Sequence, residues 1–151
     1  MFIKEADLFR EMSQDFMNEL AKIMIEESYG KGTSLFKEGD SVRAFYVLEE
    51  GRVRLSVGTQ GHIVYILTDP GDALGWSSLV GRDTYTASAE CLAQSKLIKI
   101  EREKLDKLFE KHLADEALFF KRLAGLIGQR LINSYNALLS SQREEYQPSY
   151  G

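Results

Sequence analysis

The chain has 151 residues, of which 44% are hydrophobic, and its formal net charge at pH 7 is −4. This length and composition fit one globular domain with a true core, and the acidic balance gives no electrostatic reason to bind nucleic acid or anionic lipid unaided. The uncharged runs are too short to span a bilayer, and the acidic first ten residues do not resemble a signal peptide. We therefore expect a cytoplasmic protein with no nucleic-acid partner and no membrane partner.

The N-terminal part of the chain has a helical pattern. Over residues 5–28, apolar side chains recur at steps of three and four, which predicts an amphipathic helix or two short helices with a break near Ser13. The apolar positions are Leu8, Phe9, Met12, Phe16, Leu20, Ile23 and Met24.

The middle of the chain, residues 32–100, has a β pattern instead. Apolar residues alternate with a period near two, and short runs are separated by Gly-, Asp- and Pro-containing turns at roughly ten-residue spacing. The predicted strands include residues 45–48, 53–57, 63–67, 85–89 and 97–100. This spacing favours an antiparallel sandwich or barrel over a parallel sheet, and we predict a jelly-roll-like β-barrel.

Helical patterns return after the β region. A short helix is predicted over residues 103–112 and a longer one over 115–141, so that residues 102–141 form a C-terminal helix pair. The fold class is therefore α+β and mainly β, with one domain over residues 1–141 and a flexible polar tail over 142–151. Gly125 and Gly128 each cost about 1 kcal/mol in a helix relative to alanine, which suggests close helix packing or a hinge.

Several short motifs together resemble the signature of the cyclic nucleotide-binding domain family, as found in bacterial catabolite activator proteins and protein kinase A regulatory subunits. The resemblance covers residues 7–139, and Gly39 and Gly51 fall where tight turns need a positive φ. The motifs are Leu8-Phe9, Gly32, Leu35-Phe36, Glu38-Gly39-Asp40, Phe45-Tyr46-Val47-Leu48 and Gly51-Arg52-Val53.

In that family a phosphate-binding cassette reads approximately G-E-[LIV]-[AGS]-L, followed after a few residues by R-[AST]-[AST]. The resemblance implies that the glutamate binds the ribose hydroxyl, the arginine neutralises the cyclic phosphate, and backbone N–H groups of a short helix complete the site. In this chain Trp76 stands in place of the glutamate and Tyr85 in place of the arginine. The cassette residues expected at the ligand are Gly75, Trp76, Ser77, Ser78, Leu79, Tyr85, Thr86 and Ala87.

These two replacements leave several interpretations open. Losing both charged contacts weakens phosphate binding by orders of magnitude, unless Arg82 turns toward the anion from the same loop. Trp76 could stack on a planar ligand, cap the barrel or fill it. Ser77 and Ser78 could hold an anion or cap the short helix.

The last helix has two implied roles in the family, contact with the base and pairing with a second subunit. Aligned on Gln129-Arg130-Leu131, the candidate base contacts are Ser134 and Tyr135. An apolar stripe along this helix could pack on the barrel or pair two copies, and the helix length favours a homodimer. Its members are Leu123, Ile127, Leu131 and Leu138.

An enzyme is not expected. His62 and His112 are the only histidines, too few for the metal set of a cupin-type barrel, and the run from Gly75 to Leu79 lacks the last glycine of a nucleophile elbow. Cys91 is the only cysteine, so no disulfide forms within the chain, and it is expected to be a small buried hydrophobe.

Two functional hypotheses follow. The first is a stand-alone sensor that binds a small effector, either cAMP or cGMP by altered contacts or another small anion, and signals through its C-terminal helices to a separate effector protein. The second is a ligand-free scaffold in which Trp76 and Tyr85 plug the pocket and the helical faces bind partners.

Overall fold

The computed structural model describes residues 6–145, with side chains to residue 141. A 3-10 turn at Asp7–Phe9 precedes α1 (Gln14–Ile23), and eight strands follow, with a second 3-10 turn at Trp76–Leu79 between the sixth and seventh. The strands are β1 (Met24–Tyr29), β2 (Ser34–Phe36), β3 (Ala44–Glu50), β4 (Val53–Val57), β5 (His62–Leu67), β6 (Ala73–Leu74), β7 (Ser88–Cys91) and β8 (Ser95–Glu101). The chain then forms α2 (Arg102–Lys111) and α3 (Leu113–Glu145).

The strands form two four-stranded antiparallel sheets, in the orders β1-β8-β3-β6 and β2-β7-β4-β5. β3 is buried along nearly its whole length because its sheet is covered on both faces. Tyr46 and Leu48 point into the core between the sheets, whereas Phe45 and Val47 point into a second core under the helices. The prediction of an antiparallel, jelly-roll-like β unit flanked by helices is confirmed.

Aromatic rings dominate the core under the helices. Phe16 of α1 stacks on Phe109 of α2, with ring centroids 5.7 Å apart and planes at 4°. Phe119 of α3 lies 5.3 Å from Phe9 and 5.1 Å from Phe109. The N-terminal turn, α1, α2 and the start of α3 are therefore packed around one set of rings.

The prediction of helix over residues 24–28 is wrong, because α1 ends at Ile23 and Met24 begins β1 without an intervening loop. All six residues of β1 pair with β8, from Met24 opposite Ile100 to Tyr29 opposite Ser95. The apolar run across residues 23–25 is compatible with both a helix and a strand. Pairing with the distant strand β8 determines that residues 24 and 25 form a strand.

The joint between α2 and α3 is tied to α1. His112 ends α2, and its imidazole contacts the Glu19 carboxylate of α1. Asp115 in the first turn of α3 accepts hydrogen bonds from the backbone N–H and hydroxyl of Ser13, at 2.8 and 2.7 Å. The same Ser13 hydroxyl caps α1 by accepting from the Phe16 N–H at 3.2 Å, so one group of polar side chains fixes both helix starts and the predicted break at Ser13.

α3 leaves the core along its length and runs to Glu145, past its predicted end at residue 141. Phe119 and Leu123 are buried, whereas Leu131 is 51% and Leu138 is 62% exposed. Packing on the barrel therefore explains the first part of the predicted stripe but not the second. The large apolar side chains exposed on this second part are Leu131, Ile132, Tyr135, Leu138 and Leu139.

Gly51 fills the turn between β3 and β4, where its φ is +117°, as the sequence predicted. A Cβ atom at this position would lie 2.3 Å from the Ser95 Oγ and 2.6 Å from the Ser95 Cα. The Ser95 hydroxyl in turn accepts from the Arg52 N–H at 3.1 Å and donates to the Ala93 carbonyl at 2.9 Å. This contact joins the β3–β4 turn to the β7–β8 turn.

Candidate functional site

The cassette begins where β6 ends. Gly75 has φ +81° and precedes the 3-10 turn Trp76–Leu79. An added Cβ would lie 3.1 Å from the Ala44 carbonyl oxygen and 3.3 Å from the Phe45 Cα, so glycine is required both by backbone conformation and by the close passage of β3.

The cassette hydroxyls bond within the protein. The Ser78 hydroxyl is buried and donates to the Gly75 carbonyl at 2.8 Å. The Ser77 hydroxyl lies 3.3 Å from the Thr86 hydroxyl. In this arrangement Ser78 stabilises the turn itself, which is the commoner use of a serine at such a position.

Tyr85 occupies the interior beside the cassette, ahead of β7, which starts at Ser88 rather than at residue 85 as predicted. Its ring stacks on Phe36 with centroids 3.8 Å apart and planes at 12°. Its hydroxyl donates to the Ala44 carbonyl at 2.7 Å and accepts from the Ala44 N–H at 3.3 Å. The Tyr85 hydroxyl thus forms hydrogen bonds with both the N–H and the carbonyl of Ala44, the first residue of β3.

The space left at the cassette is small. The cavity there has a volume of about 20 Å³, which is room for about one water molecule and far below the roughly 300 Å³ of a small ligand site. Trp76 both borders it and packs against the helical core. The lining residues are Phe36, Leu55, Gly75, Trp76, Ser77, Tyr85, Thr86 and Ala87.

Five of the expected ligand contacts do not border this cavity, and one of them is Ser78, whose hydroxyl bonds to the turn. Arg82 is exposed, and its backbone carbonyl accepts a hydrogen bond from Arg102 at 3.3 Å. Leu79 packs against the helical core. Ser134 and Tyr135 are exposed on α3, where the Ser134 hydroxyl donates to the Arg130 carbonyl at 3.0 Å.

A second, larger cavity lies between the N-terminal turn, β5, the loop before β6 and α3. This cleft has a volume of about 590 Å³ and is bordered by both polar and apolar side chains. Its lining includes Leu8, Asp72, Arg122, Gly125, Leu126 and Arg130. No atom lies within 4 Å of a Cβ added at Gly125 or at Gly128, so close packing among residues 6–141 does not explain these glycines.

Arg130 and Asp72 give the cleft its electrostatic character. The Arg130 guanidinium donates to the Ala73 carbonyl and lies 5.0 Å from the centroid of the Tyr65 ring. Burial lowers the pKa of Arg130, and burial likewise raises the pKa of the Asp72 carboxyl. Both shifts are those expected for charged groups removed from water.

Sequence reasoning predicted the cassette residues but not Phe36 and Ala44, which contact Tyr85, nor the residues that form the cleft. The sequence does not indicate that Phe36 and Ala44 contact the cassette, because these contacts depend on the direction of the Tyr85 side chain. Arg130 lies in the stretch Gln129-Arg130-Leu131, on which the last helix is aligned with the family. Arg122 stands eight residues earlier on the same helical face, and this spacing is the one sequence feature that could have indicated the cleft.

Comparison with known proteins identifies the family. Residues 26–112, more than half of the chain, match the model of the cyclic nucleotide-binding domain. The chain belongs to this family, whose model describes a ligand-binding domain.

Three relatives illustrate the similarity. A putative cyclic nucleotide-binding protein from Geobacter metallireducens superposes with a TM-score of 0.73 at 26% identity, over 82% of this chain and 91% of that one. The catabolite activator protein of Thermus thermophilus gives 0.70 at 25% identity, over 92% of this chain and 64% of that one. The cGMP-dependent protein kinase egl-4 of Caenorhabditis elegans is 25% identical over 112 residues, which is 71% of this chain but only 14% of the kinase.

Within residues 6–145, no helix has both the length and the apolar character that crossing a membrane requires.

Proposed function

We propose that this protein is a regulatory domain of the cyclic nucleotide-binding family whose cassette is closed to nucleotides and whose output surface is the exposed second half of α3. The observation that carries this proposal is the position of Tyr85, which lies in the interior against Phe36 and Ala44 and which the sequence resemblance aligns with the family's phosphate-binding arginine. A cytoplasmic location, expected from the sequence, is part of the same proposal.

Opening the cassette would cost free energy. Displacing Tyr85 breaks its stacking on Phe36 and leaves the buried N–H and carbonyl of Ala44 without their partner. An unsatisfied buried backbone group typically costs about 1–3 kcal/mol. An entering phosphodiester would also find no cation among the described residues that border the cavity, because Arg82 is exposed and lies away from it.

The apolar face of the second half of α3 forms the proposed output surface. Residues 131, 135 and 138, with 132 and 139 beside them, are spaced by three and four and are all about half exposed. This is the pattern by which two helices pair along an a/d seam. It supports a homodimer in which α3 of one copy contacts α3 of the other, with a separate effector protein reading the paired helices.

Calorimetric titration with cAMP and with cGMP tests the closed cassette. We expect no saturable binding to the wild-type protein and measurable binding when the family contacts are restored in the double variant Trp76→Glu with Tyr85→Arg. Tyr85→Phe is the matched control, since it keeps the ring and removes only the hydroxyl. Saturable binding of either nucleotide to the wild-type protein would contradict the proposal.

The cassette alone does not separate a sensor from a ligand-free scaffold, because both hypotheses tolerate a closed cavity. The cleft beside α3 favours the sensor, since its volume of about 590 Å³ falls in the range of small-molecule sites. It lies against the helix that forms the proposed output surface.

A further inference from the structure

The cleft between the N-terminal turn and α3 has both the size and the chemistry of a binding site. We infer that it binds a small molecule carrying a carboxylate or phosphate group, which Arg122 and Arg130 of α3 hold. This inference goes beyond the proposed function, because it concerns a site that the cassette residues do not form and it stands whether or not the cassette is closed.

Arg122 is the first support. Its side chain is 20% exposed, and its Nη1 is buried with no hydrogen-bond partner among residues 6–141. Its Nη2 lies 3.5 Å from the Glu11 carboxylate, whose side chain is 78% exposed. The Arg122 side chain borders the cleft, so an oxyanion there would accept a charge-assisted hydrogen bond from the exposed part of the guanidinium in place of the long Glu11 contact.

Arg130 supplies a second, oriented positive charge. It stands eight residues after Arg122, on the same side of the helix. Its contacts with the Ala73 carbonyl and the Tyr65 ring fix the guanidinium at the border of the cleft. A guanidinium carries five N–H donors, so these contacts leave donors for a ligand.

Gly125 keeps the space between the two arginines open. Glycine is a poor helix former, and an added Cβ here would meet nothing within 4 Å, so no packing contact among the described residues requires it. A large side chain at this position would project into the cleft. Leu8 and Leu126 border the same space and offer apolar surface to the carbon skeleton of a ligand.

The acidic side chains of the cleft do not oppose this charge pattern. Asp7 is paired with Arg10 at 2.7 Å, and Glu11 makes only the long, exposed contact that a ligand would replace. The Asp72 carboxylate accepts a hydrogen bond from the Asp69 N–H at 3.1 Å, so the backbone already engages it.

The test is an NMR titration of the 15N-labelled protein with inorganic phosphate and, separately, with benzoate. We expect saturable shifts of the Gly125 and Gln129 amides with at least one probe, and which probe acts tells phosphate from carboxylate recognition. Arg122→Gln should weaken that affinity about tenfold or more, as loss of one charge-assisted hydrogen bond does. Arg102→Gln is the matched control, because Arg102 is a partly buried helical arginine outside the cleft, and it should leave the affinity unchanged.

Gly125→Phe provides a second route if Arg122→Gln does not fold, since it fills the cleft without removing a charge, and it should abolish the shifts. Failure of both probes to bind the wild-type protein at millimolar concentration would overturn the inference and leave the closed cassette standing. Equal affinity in the Arg122→Gln and Arg102→Gln variants would also overturn it. Shifts at Ser77 and Thr86 in place of Gly125 and Gln129 would overturn it and contradict the closed cassette as well.

Discussion

The two halves of α3 belong to one continuous helix but meet different surroundings. In the first half, Phe119 and Leu123 are buried against rings from the N-terminal turn and α2. In the second half, Leu131 and Leu138 are about half exposed or more. The difference shows that hydrophobic character alone does not make a residue part of the core. The apolar stripe of α3 is buried in the monomer in its first half and exposed in its second half.

Each half therefore has its own measurable consequence. Apolar side chains in the first half contribute to the unfolding free energy of the single chain, whereas those in the second half are expected to contribute to the proposed association of two chains. Mutations that affect one property and not the other test this division.

The largest expected effect is that of Phe119→Ala. Removing this fully buried ring from among Phe9, Phe45 and Phe109 should lower the unfolding free energy by about 3–5 kcal/mol. Urea denaturation monitored by circular dichroism measures it. Leu139→Ala in the exposed half is the control and should change the unfolding free energy by less than about 0.5 kcal/mol at a concentration where the chain is monomeric. Equal losses in the two variants would contradict the division.

The next effect concerns association. Leu131→Asp places a charge in the proposed seam and should convert a dimer into monomers in sedimentation velocity without loss of helical signal. Asn133→Asp adds the same charge on the side of the helix turned away from the seam and should leave the dimer intact. If Leu131→Asp unfolds the protein, the second half of α3 is part of the core after all.

A smaller effect is expected at the centre of α3. Gly125→Ala should raise the unfolding free energy by about 1 kcal/mol, since alanine is the better helix former and its Cβ would meet nothing within 4 Å. Thermal unfolding measures the change, which amounts to a few degrees for a domain of this size. A lower midpoint would show that the glycine is needed by a contact outside the single chain.

The smallest effect is a pH dependence at the joint where α3 begins. The hydrogen bond to His112 lowers the pKa of Glu19 below its ordinary value of 4.5. A carboxyl with a depressed pKa in the folded state adds stability above its unfolded pKa, and this is lost as the pH falls through the folded value. Glu19→Gln should therefore be less stable than wild type at pH 7, with a smaller difference at pH 3, while the exposed Glu110→Gln should show no such trend.

Much of this architecture could be predicted because it depends on local patterns. The alternation in β4 and the three- and four-residue steps in α1 and the first half of α3 each reflect one buried face. β1 could not be predicted in this way, because its conformation depends on pairing with β8, about seventy residues later in the chain.

The candidate site divides along the same line. The positions of Gly75 and Tyr85 in the cassette follow from sequence motifs, but the closure of the cassette depends on the direction of the Tyr85 side chain and its contacts with Phe36 and Ala44. The cleft depends on how α3 lies against the N-terminal turn. The closure of the cassette and the shape of the cleft both depend on contacts between segments that are distant in the chain. The residue pattern within one segment does not reveal such contacts.

Gly51 also limits how this sequence can diverge. Elsewhere a crowded glycine can be exchanged if its neighbour shrinks in a compensating second mutation. Here the missing Cβ would meet not only the Ser95 hydroxyl but also the Ser95 Cα, at 2.6 Å, which every amino acid possesses. No paired substitution at positions 51 and 95 relieves that overlap while the backbone stays in place, so descendants of this sequence that keep the fold are expected to keep the glycine.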